Sequence, residues 1–307
     1  SRGLGDVYKR QTRDCAPIRR RDSLISGEQN GIKRRDSVGN QQVVDLMEHV
    51  WRSIDSLCSP LTETQWKTAT DCPGWSVQDQ VSHLVGAESG ILGNPRPDHT
   101  PKETGHIKND VGQSNEVVVD FRRSWPGQQV LEEFRELTRQ RLSYLRGLSD
   151  EGFSAETQTP LGPGTITEFV NIRIMDAWVH EQDIRRALNI PGELDTAVAA
   201  HSLGRISRAM PFVAARKAQA PDGTTVVFEI TGPAGRVLSI GIEGGRGNQL
   251  DSEPTSPTVK LITDVETFMC LGCGRWNPSD TLNSGKITVF GDTSLGSTIV
   301  NQMNIMV

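Results

Sequence analysis

The feature that most limits the fold of this chain is a change of hydrophobic period near residue 194. Before that point apolar residues recur at three- and four-residue steps, as they do along a helix face; beyond it they alternate, as they do along strands. Val43, Leu46, Met47, Val50, Ile54 and Leu57 mark a first helix. The Thr62-Glu63-Thr64-Gln65 stretch reads as a capping box for a short helix or turn. Ser76 caps a second helix, carrying Val77, Val81, Leu84, Val85 and Ile91, with Asp79 three residues on. A third helical region covers about 113–148 and is interrupted at Pro126-Gly127. Gly162-Pro163-Gly164 breaks the chain, and Thr165 with Glu168 opens a fourth helix running to about Leu188. The Pro-, Gly- and Asp-rich stretch 93–112 is long enough for a crossover, so four helices make a bundle over residues 39–192. After one more helix at about 195–215, the runs 225–230, 237–242, 258–262 and 286–290 alternate. Residues 193–307 therefore read as a small α+β domain with an antiparallel-type sheet.

Charge divides the chain differently. Residues 1–37 hold ten Lys/Arg against five Asp/Glu, although the whole chain is −5, so the body is acidic and a poor nucleic-acid binder. Residues 1–38 lack apolar periodicity and repeat Arg-Arg-Asp-Ser at 20–23 and 34–37. They read as a disordered basic tail or as translated upstream DNA. Asp6-Val-Tyr-Lys-Arg-Gln11 is the translation of GAT GTG TAT AAG AGA CAG, the end of a transposase adapter. No apolar run reaches the roughly 20 residues that cross a bilayer, and no secretory signal is evident, so a cytoplasmic location is expected. Five scattered cysteines do not suggest a disulfide framework.

Asp176 and His180 stand four apart, on one face of the fourth helix. A carboxylate and an imidazole at that spacing can chelate one metal ion, although a surface hydrogen bond has the same signature. In bundle cores such ligands meet others from a facing helix, and His83 of the second helix is the natural third ligand. Two His and a carboxylate suit Zn²⁺ with one open position; Fe and Mn also accept this set.

Several segments are familiar together: Asp71-Cys-Pro-Gly-Trp75 with Val77, Asp79 and His83-Leu84; His106-Ile-Lys-Asn-Asp-Val111 with Asn115-Glu116; Asp176-Ala-Trp-Val-His-Glu-Gln-Asp-Ile-Arg185; Gly272-Cys-Gly-Arg275; and Gly291-Asp292. From about Val43 to Ile305 the chain resembles the mycothiol-dependent maleylpyruvate isomerase-like family. The resemblance implies a DinB-like metal-binding bundle followed by a sterol-carrier-protein-like domain, with His83, Asp176 and His180 as metal ligands. Characterised isomerases of that group carry Glu where Asp176 stands. The resemblance further implies a divalent metal, Zn²⁺ for preference, and mycothiol as cofactors. A metal deprotonates a bound thiol, and the thiolate is the nucleophile. Addition to a cis double bond followed by thiol departure would make an isomerase, and retention of the thiol an S-transferase. Partners are then a low-molecular-weight thiol and a small electrophile, with neither nucleic acid nor membrane, for a monomer or homodimer. Two other classes remain open: a metal-stabilised protein that binds an apolar small molecule without catalysis, and a metalloenzyme that activates water.

Arg173, three residues before Asp176, and Arg275, reaching from the second domain, are the candidate catalytic residues, either of which could grip a substrate carboxylate. Arg185 and Arg186 read as solvated helix-end charges. Glu181 and Asp183 read as surface groups or as supports to the ligands, as does Glu116. Cys72 reads as structural, and Cys270 and Cys273 as buried packing residues. Trp75, Trp125 and Trp178 suit core or pocket wall; His49, His99, His106 and His201 lack a partner at ligand spacing. The glycines of 241–247 lack the strand-turn-helix setting of a dinucleotide loop.

Overall fold

The computed structural model describes residues 39–306, so the expectations for residues 1–38 lie outside the described residues. Helix α1 (Asn40–Cys58) buries Val43, Met47, Val50, Trp51 and Ile54 along one stripe. The short α2 (Glu63–Trp66) has the expected capping box: Thr62 accepts from the Gln65 N–H, and the Gln65 side chain accepts from Thr62 N–H. Helix α3 (Val77–Ile91) opens on a second box, Ser76 with Asp79. The third helical region is two helices, α4 (Asp110–Asp120) and α5 (Gly127–Arg146), parted at Pro126 as its missing N–H requires. Gly127 starts α5 because a Cβ there would stand 2.2 Å from the indole of fully buried Trp66. After the short α6 (Asp150–Ser154) comes the one local misreading in this half. Gly162–Thr165 is no simple break but strand β2, paired antiparallel with β1 (Glu156–Thr159) in a small hairpin. The third capping box, Thr165 with Glu168, then launches α7 (Ile166–Leu188), which stops at Asn189 in the left-handed region, φ 56°.

Helices α1, α3, α5 and α7 pack in a closed ring, α1 and α3 each touching both α5 and α7, with α4 laid against α3. That is the expected four-helix bundle.

The next helix, α8 (Ala197–Phe212), runs into one π-helical turn at Val213–Lys217 and packs on α7, α1 and the sheet. The sheet comprises β3 (Thr225–Thr231), β4 (Arg236–Glu243), β5 (Arg246–Gln249), β6 (Val259–Asp264) and β7 (Ile287–Gly291), in the order β5-β4-β3-β6-β7. Helices α9 (Val265–Gly272), α10 (Pro278–Asn283) and α11 (Thr293–Asn301) complete the domain. The antiparallel expectation needs correcting here, because β3 and β6 are parallel, from Val226–Val259 to Thr231–Asp264. Parallel neighbours need a crossover of a dozen or more residues. The β4–β5 hairpin and the loop after it supply that length in place of a helix. One continuous apolar core runs from Val43 in α1 through Ile184 in α7 to Met303.

Candidate metal centre

Ser76 and its Asp79 box fix where α3 begins, and so where His83 points two turns later. The turn that delivers Ser76 is tight. Gly74 has φ +78°, and a Cβ there would overlap the His106 ring at 2.5 Å. Trp75, beside it, donates its indole N–H to Glu116 Oε2 at 3.0 Å, which also meets His106 Nε2 at 2.9 Å. Arg123 closes the cage with ion pairs to Glu116, Asp79 and Asp120. These contacts hold the Trp75 ring over both histidines, 5.3 Å from His83 and 5.8 Å from His180 between centroids. It is part-buried and packs against the two imidazoles.

On α7, Arg173, Asp176, His180 and Asp183 fall at helical steps along one stripe facing α3. His83 Nε2 lies 3.3 Å from Asp176 Oδ2, and His180 Nε2 lies 3.6 Å from Asp176 Oδ1. One donor atom from each of the three residues falls within 4.8 Å of the others. Tetrahedral zinc with bonds of about 2.0–2.1 Å spaces its ligand atoms about 3.4 Å apart, which the two distances to Asp176 match.

The outer contacts favour the same reading. His180 Nδ1 faces Gln80 Oε1, on α3, and lies 3.5 Å from Asp183 Oδ2. Two acceptors at Nδ1 hold the proton there and leave the Nε2 lone pair toward Asp176, the arrangement metal-binding histidines use. Burial lowers the His180 pKa, but the opposing pull of Asp176 and Asp183 is larger and the net shift is upward. His83 is shifted down, chiefly by burial, and its Nδ1 is buried without a hydrogen bond. Its ring is held by packing against Trp75 and against His180, 4.6 Å away. Burial would raise the Asp176 pKa, yet Arg173, His83 and His180 together hold it well below the usual carboxylate range.

The two arginines singled out from sequence occupy different places. Arg173 lies in the site, with Nη1 donating to Asp176 Oδ2 at 2.6 Å and Nε to Glu88 Oε1 at 2.9 Å; its Nη2 is buried and has no partner. Glu88, itself fully buried, also accepts from Arg141 Nε at 3.1 Å, so a charge chain links α5, α3 and α7. Arg275 does not face the three ligands but stands behind His180. Its Nε and Nη2 donate to Asp183 at 2.8–3.0 Å and its Nη1 to the Cys273 carbonyl. The second domain thus braces Asp183, the carboxylate behind His180. Arg186 bonds the same carboxylate at 2.6 Å and Asp71 at 2.7 Å, while Arg185 pairs with Glu181 and Ser53. The solvated reading of Arg185 and Arg186 and the surface reading of Glu181 and Asp183 are therefore corrected, since both acids are buried. Against burial, Arg275 and His180 bring the Asp183 pKa down to about 2. Sequence reasoning missed Gln80, Glu88 and Arg141. Gln80 alone left a signal, three residues before His83 on the same helix face.

The chain's own described thiols are poor nucleophiles. Burial pushes Cys72 up to about 11 and Cys273 up to about 12, and Cys58 and Cys270 higher still. A cavity of about 710 Å³ lies elsewhere, between α1 and the end of α7, lined by His49, Arg52, Ser53, Arg185 and Glu193, and includes none of the three candidate ligands.

Residues 47–185 match the model of the mycothiol maleylpyruvate isomerase N-terminal domain, and residues 204–303 that of the SCP-2 sterol transfer family. The two matches, in this order along the chain, support its resemblance to the maleylpyruvate isomerase-like family. Its two-domain fold is also that of two solved structures of a mycothiol-dependent maleylpyruvate isomerase, one of them a mutant. Each is 13% identical and covers 82% of this chain and 92% of its own, with TM-scores of 0.51 for the mutant and 0.50 for the other. Comparison with curated proteins finds no match. No helix among the described residues is long and apolar enough to cross a membrane.

Proposed function

We propose that this protein is a metal- and thiol-dependent enzyme, an isomerase or S-transferase that presents a low-molecular-weight thiol, mycothiol by family resemblance, to a small electrophile. The observation that carries the reading is the convergence of His83, Asp176 and His180 from two helices, with the His180 tautomer set by Gln80 and Asp183. A divalent metal held there, Zn²⁺ by ligand type, would supply a thiol as its thiolate at neutral pH.

The chain's part is electrostatic and positional. Glu88, Asp176 and Asp183 are already matched by Arg141, Arg173, Arg186 and Arg275. A dication therefore adds charge that only anionic ligands from outside offset, which favours a thiolate and an acidic substrate over neutral ones. Arg173, whose buried Nη2 has no partner, would orient a substrate carboxylate. Trp75 covers both imidazoles and keeps water from that side. Asp176 is one methylene shorter than the Glu of the characterised isomerases, which sets its carboxylate back toward Arg173. The substrate is therefore an electrophile whose fit differs from that of maleylpyruvate.

Cobalt substitution tests the reading. Adding mycothiol, or cysteine as its simplest analogue, to the cobalt-loaded protein should produce a sulfur-to-cobalt charge-transfer band in the near ultraviolet. If saturating thiol leaves the spectrum unchanged while cobalt stays bound, the thiol-dependent function is wrong.

A further inference from the structure

Asp176 is the one anionic residue among the three candidate ligands, and a cation of the chain already sits on it. Nη1 of Arg173 donates to Asp176 Oδ2 at 2.6 Å, and that oxygen also faces His83 Nε2 at 3.3 Å. The guanidinium has little room to leave. Its side chain is 8% exposed, and its Nε donates to Glu88 Oε1 at 2.9 Å. Nε and Nη1 belong to one rigid plane, so the Glu88 contact fixes the edge presented to Asp176. Glu88 is fixed in turn, since its second oxygen accepts from Arg141 Nε at 3.1 Å and Arg141 lies over the Tyr144 ring. Arg141, Glu88, Arg173 and Asp176 thus alternate in sign, and their formal charges cancel.

Such an arginine can act on a metal centre in two opposite ways. As a hydrogen-bond donor that orients a ligating carboxylate it would support the ion, and its loss would weaken binding about 10- to 100-fold. As a full positive charge on the ligand's own oxygen it would draw electron density from that ligand and repel a dication nearby, with little water to screen either effect. Asp176 has its direction without Arg173. Helix α7 carries it one turn before His180, and contacts of 3.3 and 3.6 Å set its two oxygens against the two imidazoles. Little orientation remains for the arginine to supply, so its charge is the larger effect.

We propose that Arg173 is a built-in counter-cation of the centre, which lowers its affinity for a divalent ion and makes retention of that ion depend on an anionic ligand from outside, such as a thiolate. The inference rests on the reading that His83, Asp176 and His180 hold a metal, and it names how that site is regulated. The same charge that opposes the ion attracts the anion, so removing Arg173 moves the two affinities in opposite directions. A purely structural loss would weaken both. Ion and anion then raise each other's affinity by one shared factor.

Two affinities of the full chain test this, both at pH 7 without thiol: zinc by competition with a chromophoric chelator, and azide by the visible spectrum of the cobalt-loaded protein. Circular dichroism confirms that each variant is folded. Arg173→Gln should bind zinc about tenfold more tightly and, loaded with cobalt, bind azide about tenfold more weakly. Arg173→Lys keeps the charge and should stay within about threefold of the unaltered protein on both. Arg173→Met, of similar length and uncharged, takes the place of Arg173→Gln if that variant does not fold. In the unaltered protein, which needs no variant, saturating azide should raise zinc affinity about tenfold. Zinc held no more tightly by the folded uncharged variant, azide affinity unchanged by the substitution, or no rise of zinc affinity with azide would each overturn the proposal. Zinc bound by none of these proteins would instead overturn the metal reading, and the inference with it.

Discussion

Replacing Arg275 by Met should uncouple the two domains at the point where the second braces the first. Asp183 is fully buried and receives three charge-assisted contacts of 2.8–3.0 Å from Arg275, whose own side chain is 8% exposed. Breaking a buried pair from one side leaves the other charge uncompensated and costs about 3–5 kcal/mol. Here Arg186 still bonds Asp183 at 2.6 Å, which places the loss near the lower end, about 3 kcal/mol at pH 7. The pH dependence has a definite sign. Asp183 has a folded pKa of about 2 against an ordinary 3.8, so its contribution is present above pH 4 and lost as the pH falls toward 2. That shift corresponds to about 2 kcal/mol. Without Arg275 the largest influence opposing burial is gone, so the folded pKa rises and protonation relieves part of the strain. The deficit of the variant should therefore shrink between pH 7 and pH 4. Urea unfolding of wild type, Arg275→Met, Asp183→Asn and the double variant measures it. Metal affinity of Arg275→Met should also fall about 10- to 100-fold, because His180 loses the support behind Nδ1. A stability loss below about 1 kcal/mol at pH 7, or one that does not change with pH, would refute this reasoning.

Glu88→Gln leaves Arg141 and Arg173 facing a neutral amide in a buried setting, and should destabilise the protein by about 3 kcal/mol in urea unfolding. Gly127→Ala should cost about 1–3 kcal/mol by overpacking against Trp66, read as a lower melting temperature. With its thiol near 11, Cys72 should react with iodoacetamide at pH 8 markedly more slowly than free cysteine, followed by mass spectrometry of the tryptic peptide.

What the sequence made legible was local. Three capping boxes, at Thr62, Ser76 and Thr165, located helix starts because the residues that satisfy the free N–H groups lie three positions away along the chain. The Asp176–His180 spacing showed a shared face for the same reason. His83 could be joined to them because the bundle brings α3 against α7. What stayed hidden depends on long-range pairing. Arg275 and Asp183 are 92 residues apart and meet only when the domains pack. Arg185 and Arg186 resemble solvated helix-end charges until Ser53 and Asp71, from elsewhere in the bundle, are found against them. The parallel β3–β6 pair escaped because alternation reports a strand's faces but not the direction of its neighbour. Gly162-Pro163-Gly164 looked like a breaker, and its pairing with β1 is set by the hairpin rather than by its own propensity.

The central claim is one metal ion held by His83, Asp176 and His180. The most direct measurement is elemental analysis of the purified full chain after zinc loading and exhaustive dialysis, beside the His83→Ala/His180→Ala double variant, with circular dichroism confirming that both are folded. The expected result is one zinc per chain in the unaltered protein and less than one tenth of that in the folded double variant. Stoichiometric zinc in the double variant, or none in the unaltered protein, would contradict the claim.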